Sequence, residues 1–345
     1  MQRFLIAVVA LIAVLGAAYT GAWYYVASMA RSGLETVVAD QSRFGVSASY
    51  DNFQRSGFPS SLRIDADNPS VEGPNGIRWE GDAIAVEARN WWRRNVDVHL
   101  IGGHSLTIPE DYPLVATTES GRASFHVSWT GDVPSASAVL QNVEVETDQL
   151  PAPYNFSDVS TDQLAILGEL IDQNTDGIED LHLQLDATQI GLTSSPFGEL
   201  GNSIERAGIT GMVSGPLPRR RWSADDIVAW RDAGGQVRID RAHLIWGPVT
   251  IEADGDLTLD AALQPRGRIN VRVEGYEVLL DMMEERGVLE GRQATMARVG
   301  LQMMAGPPNE DGRSVLEAPI TIQDRRVQIG PVQIATLPEI EWPGL

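Results

Sequence analysis

The chain has 345 residues, a formal net charge of −21 and no cysteine. That rules out a disulfide framework and thiolate chemistry, and argues against binding nucleic acid or anionic lipid headgroups, which need positive charge. All 26 basic residues are arginine, so a mechanism needing lysine, such as a Schiff base, is excluded as well.

The first element is an apolar run from Phe4 to Val26. Its about 23 residues, rising ~1.5 Å each as a helix, suffice for the ~30 Å hydrocarbon core of a bilayer. Thr20-Gly21-Ala22 has the small residues of a signal-cleavage site, but the run continues through Trp23, Tyr24 and Tyr25, which suit the membrane interface. The expectation is an uncleaved anchor, residues 1–27, that crosses the inner membrane once. Arg3 keeps the N-terminus in the cytoplasm and the body lies in the periplasm.

Residues 28–150 form a first β-rich region after a short helix at Ser28–Phe44. Stretches such as Ile84-Ala85-Val86-Glu87 and Val96-Asp97-Val98-His99-Leu100 alternate apolar and polar residues between Gly, Pro, Asn and Asp. Period-two patterning with such punctuation predicts half-buried antiparallel strands. Residues 151–234 read as a mixed region. Ser160 with Gln163 resembles a capping box and predicts a helix over Thr161–Gln173, followed by a strand at His182–Ile190 and a weaker helix near Gly198–Arg206. Ser223 opens a further helix over Ala224–Ala233, with Gly234 as its left-handed stop.

Residues 235–345 form a second β-rich region. Strands are expected at Val237–Trp246, Val249–Asp260 and Gly267–Glu274, amphipathic helices at Tyr276–Leu289 and Arg292–Met304, and three short strands at Pro319–Ile322, Arg325–Ile329 and Val332–Ala335. Gly81-Asp82 and Gly255-Asp256 lead similar strand–turn–strand runs, which suggests two related β layers. The fold class is thus α+β, mostly antiparallel sheet with several amphipathic helices and one N-terminal transmembrane helix.

One constellation has metal-ligand spacing: Asp172, Asn174, Asp176, Ile178 and Asp180. Four side-chain oxygens and the Ile178 carbonyl at alternating positions, with Gly177 sixth, let a loop curl around Ca²⁺. Leu183 stands where an EF-hand needs its twelfth-position Glu, so the pattern is not an EF-hand. A solvated turn, for which Asp, Asn and Gly are also favoured, accounts for the same residues.

Nothing local marks catalysis. His99, His104, His126, His182 and His243 fall on separate predicted strands with no HExxH, and there is no GxSxG elbow, phosphate loop or dinucleotide fingerprint. Asp226 is better explained as the cap partner of Ser223 than as an acid–base group, and Glu284-Glu285 as a solvated helix face. Arg219-Arg220-Arg221 fits lipid phosphates, an acidic partner or a plain solvated loop. Met282, Met283, Met296, Met303 and Met304 fit either core packing or an adaptable face for partners or acyl chains.

Several short runs together resemble a known family. They are Ser56-Gly57-Phe58-Pro59, Asn90-Trp91, Trp230–Gly235 leading into Leu244-Ile245-Trp246-Gly247-Pro248, Gly255–Asp260, and Ile329-Gly330-Pro331. In order and spacing they resemble the bacterial domain-of-unknown-function 2125 family. The resemblance implies a membrane-anchored envelope protein and brings no activity, cofactor or catalytic residue. In architecture alone the chain is also similar to AsmA-like envelope proteins, which implies a part in outer-membrane lipid homeostasis. Two functions follow as expectations: a non-enzymatic protein that binds lipid, maintains the envelope or scaffolds partners, and a periplasmic hydrolase with a site assembled from scattered His, Asp and Ser.

Overall fold

The computed structural model describes residues 47–342, except 59, 74–75, 90–93, 110–113, 129–131, 148–157, 174–177, 194–199, 218–222, 286–290, 308, 310–311, 330–331 and 341. The apolar run at Phe4–Val26 and the helix expected at Ser28–Phe44 lie outside these residues. No helix among the described residues is long and apolar enough to cross a membrane. The chain divides into two units between Val133 and Pro134.

The first unit holds β1 (Ser47–Ser49), β2 (Phe53–Ser56), β3 (Ser61–Asp67), β4 (Ser70–Glu72), β5 (Arg78–Arg89), β6 (Asn95–Ile108) and β7 (Leu114–His126). All its described pairings are antiparallel: β2 with β3, β3 with β5, β5 with β6, β6 with β7, and β4 with both β5 and β1. Alternation gives this sheet an apolar side. Ile64, Val86, Val98 and Ala123 form one cross-strand row, and Ala66, Ile84, Leu100 and Gly121 the next. Both Gly-Asp pairs that suggested an internal repeat sit beside a bulge. Gly81 faces His104 where the β5–β6 register shifts, and Gly255 faces Ile239 where the next unit's strands do the same.

The second unit is an antiparallel meander in chain order. Its strands are β8 (Ser135–Thr147), β9 (Asp158–Gln173), β10 (Ile178–Leu192), β11 (Ser203–Gly215), β12 (Gln236–Trp246), β13 (Val249–Leu259), β14 (Pro265–Glu274), β15 (Val315–Gln323), β16 (Arg326–Ile329) and β17 (Val332–Thr336). Helix α1 (Ala224–Asp232) connects β11 to β12, while α2 (Tyr276–Glu285) and α3 (Gly291–Met304) connect β14 to β15. The fold is therefore mostly antiparallel β with three helices among the described residues, as the alternation predicts.

Two expected helices are strands. Thr161–Gln173 belongs to β9, and the stretch near Gly198–Arg206 enters β11 at Ser203. For β9 the reason is non-local. Thr161 donates its hydroxyl to Thr188 O at 2.7 Å on the neighbouring strand, and β8 and β10 occupy both edges of the segment. A ladder on each side outweighs a local helix-start signal. The Ser223 signal, by contrast, holds. Ser223 and Asp226 form a capping box, and Gly234 follows at φ +81°.

Candidate functional site

Strand registry in the second unit sorts its side chains by chemistry. From β9 to β15, Leu170, Leu181, Val213, Val237, Leu257, Gly267 and Ile322 are successive cross-strand partners. One step along the strands the row reads Gly168, Leu183, Gly211, Ile239, Gly255, Ile269 and Ile320. The next is Ile166, Leu185, Ile209, Ala242, Ala253, Val271 and Ala318, and the last is Leu164, Ala187, Ala207, Leu244, Ile251, Val273 and Leu316. No charged or polar side chain occurs in any of the four rows. A bulge at Asp240–Arg241 preserves this, because it turns both Ile239 and Ala242 to the same side.

With strands ~4.8 Å apart and ~3.4 Å of rise per residue, this face measures about 29 Å across and about 20 Å along the strands. Among the described residues, the helices and tail of the second unit cover its two ends. At one end α2 packs Leu279 and Met282 against Trp246, Val249, Ile251 and Val273, and Tyr276 and Leu280 against Leu316. At the other end α1 seats Ile227 and Trp230 beside Val213, Val237 and Leu257. The motif Trp230–Gly235 has a steric logic there: the buried indole donates to Ser214 O at 3.0 Å and lies where a Cβ on Gly235 would come within 2.2 Å of its ring. Between the ends the large side chains of β9–β11 stay accessible, while Ala318 on β15 is buried. Ile166, Leu183, Leu185 and Ile209 are 42–43% exposed.

The opposite face is charged. Arg241 pairs with Glu252 at 2.9 Å, Arg272 with Glu317 at 2.8 Å and Arg238 with Asp256 at 3.3 Å. Each exposed pair contributes little to stability, ~0–1 kcal/mol, but together they leave the apolar side as the one without water-seeking groups. On this face Asp186 accepts from Arg206 Nε and Nη2, at 3.1 and 3.0 Å, and approaches His243 Nε2 at 3.3 Å. The His243 contact lies outside hydrogen-bond geometry, so Nε2 has no hydrogen-bond partner among the described residues. The ring faces a carboxylate rather than a nucleophile.

The other histidines do not converge with this pair. His99 and His104 share β6 rather than lying on separate strands, with His126 on β7 and His182 on β10. His104 is 4% exposed, stacks on Trp79 with ring centroids 5.5 Å apart, and has no partner in hydrogen-bond geometry for either nitrogen among the described residues. Burial pushes its pKa down, opposed by the nearby carbonyls of Ile101 and Ala83 and by Asp82.

Of the calcium pattern, Asn174 and Asp176 lie outside the described residues. Asp172 and Ile178 are strand residues, opposite Glu179 and Gln173, and Asp180 is buried on β10. The pattern thus spans a β-hairpin, not a helix-to-strand turn. No group of three His, Asp or Glu among the described residues is placed to hold a metal. Arg219–Arg221 lies outside them too. Among the methionines, Met282 is core, while Met296, Met303 and Met304 are 69%, 81% and 47% exposed on α3. The paired acids are structural. Asp226 accepts from Ser223 N and Oγ at 2.9 and 2.6 Å, and Glu284 with Asp281 binds Arg298 across α2 and α3.

Sequence reasoning therefore missed the candidate site, although its signal was present. The Gly, Ala, Leu, Ile and Val residues of alternate positions were visible on single strands, but only registry aligns them into one face. No curated protein and no solved structure matches the chain. A family model described as an uncharacterised protein conserved in bacteria, DUF2125, matches residues 23–338. The match spans both units, and the chain belongs to that family.

Proposed function

We propose that this is a non-enzymatic envelope protein that holds lipid hydrocarbon on the apolar face of its second unit. The observation that carries the reading is the partly exposed, uncharged face itself. Apolar patches larger than a few hundred Å² are rare on soluble monomers, and the largest patch a monomer carries is often a binding surface. The face is long enough for an acyl chain, which spans half of the ~30 Å hydrocarbon core. Its Gly211, Gly255, Ala242 and Ala253 floor, between Leu, Ile and Val side chains, suits a slender unbranched occupant. The apolar run Phe4–Val26 fits the same reading, since an inner-membrane anchor with a periplasmic body would keep this face beside a lipid source.

The test begins with the full chain in bacterial membranes, carrying a protease site within residues 28–46. Cleavage releases the body without detergent, and its extract is weighed for lipid by mass spectrometry. Lipid should accompany the wild type and fall away with Leu185→Asp and Ile209→Asp. A released body with no more lipid than an unrelated control sinks the proposal.

A further inference from the structure

The apolar face is not open on all sides. Where its first row ends, Val213, Val237 and Leu257 also line a pocket of about 330 Å³, flanked by Ile227 and Trp230 of α1 and by Ile340 and Trp342 of the C-terminal tail. Gln264 pins that tail. Buried itself, it donates from Nε2 to Ile340 O at 3.1 Å and accepts from Ile340 N at 3.0 Å.

The polar side-chain atoms of the pocket wall are already engaged. Trp230 Nε1 donates to Ser214 O at 3.0 Å, Trp342 Nε1 to Leu263 O at 2.9 Å, and Thr258 Oγ1 to Gly235 O at 2.8 Å. A headgroup placed here would lose its hydration and gain no partner, at a cost of several kcal/mol that hydrocarbon does not incur. The volume lies at the low end for ligand pockets, large enough for a chain end and too small for a whole lipid.

We infer that this pocket receives the methyl end of an unbranched acyl chain whose remainder lies along the open rows of the face. The inference rests on the lipid reading above. Because Val213, Val237 and Leu257 belong to both surfaces, a chain passes from one to the other without crossing a polar group. The pocket then acts as an end-stop. Its small volume, lined by Leu259 and Pro265 as well as by the tail, limits how far a chain can advance.

Cells making the full chain are fed one of two photoactivatable hexadecanoic acids, with the diazirine at the methyl end or at mid-chain. They are irradiated, and cross-linked peptides are mapped by mass spectrometry. The methyl-end probe should label peptides containing Trp230, Ile340 or Trp342, and the mid-chain probe those with Leu183, Leu185 or Ile209. With Leu259→Trp, methyl-end labelling should shift out of the pocket onto β10 and β11. If the methyl-end probe labels β10 and β11 already in the wild type and never the pocket, the end-stop is wrong while lipid binding stands. If neither probe labels the chain, the lipid reading falls with it.

Discussion

His243 on β12 reaches Asp186 on β10 across the strand between them, with Nε2 3.3 Å from Oδ2. The contact exists because the intervening position is Gly208. A Cβ there would stand 2.6 Å from His243 Cε1, 2.8 Å from Asp186 Oδ2 and 2.9 Å from Leu185 O. Gly208→Val should therefore destabilise the second unit by about 1–3 kcal/mol, the usual range for overpacking. Adding His243→Ala should restore only part of the loss, because Leu185 O still obstructs. Urea melts of the two variants check both statements.

The tail clamp gives a local prediction. Gln264→Ala removes both hydrogen bonds to Ile340 and leaves two backbone groups without partners. A cost of about 1–3 kcal/mol is expected. Hydrogen exchange at Ile340 should accelerate more than exchange at Val273 in the α2-covered core.

His104 should make the first unit sensitive to mild acid. Burial holds its pKa below the ordinary 6.5, so the unfolded chain takes up the proton first as pH falls. Stability then declines from about pH 6.5 downward and levels off below the folded-state pKa. His104→Phe keeps a ring to stack on Trp79 and removes the titration. Its melting temperature relative to wild type should rise as pH drops from 7 to 5; a pH-independent difference would contradict the assignment.

Asp226 titrates in the opposite sense. Hydrogen bonds from Ser223 Oγ and N hold its pKa below the ordinary carboxylate value, so its contribution is present above that value and is lost as pH falls through the folded pKa. Ser223→Ala should lower the urea midpoint at pH 7, and the gap from wild type should narrow toward pH 3.

Accessibility on the apolar face separates binding from stability. Ile209 is 43% exposed, whereas Trp246 is 7% exposed and donates from Nε1 to Gly201 O at 3.0 Å. Ile209→Asn should change stability by less than about 1 kcal/mol, and Trp246→Ala should cost about 3–5 kcal/mol. Circular-dichroism melts of both decide whether the middle of the face is free of tertiary packing.

The sequence by itself determined the β-rich class, the capped helix after Ser223, and strands at Val237–Trp246, Val249–Asp260 and Gly267–Glu274 within a residue or two of their observed ends. These are local matters: period-two alternation and cap chemistry are written in neighbouring residues. The tertiary structure decided what adjacent residues do not encode. In Ser160–Gln173, Leu164, Leu167, Leu170 and Ile171 fit one side of a helix, while Leu164, Ile166, Gly168 and Leu170 fit one side of a strand; pairing with β8 and β10 selected the strand. The same registry set Leu183 beside Gly168 and Gly211, and Ile239 beside Gly255. A hydrophobic pattern reveals that a strand has an apolar side. Whether seven such sides join into one face depends on hydrogen-bond register between residues far apart in the chain, which is set only when the sheet forms.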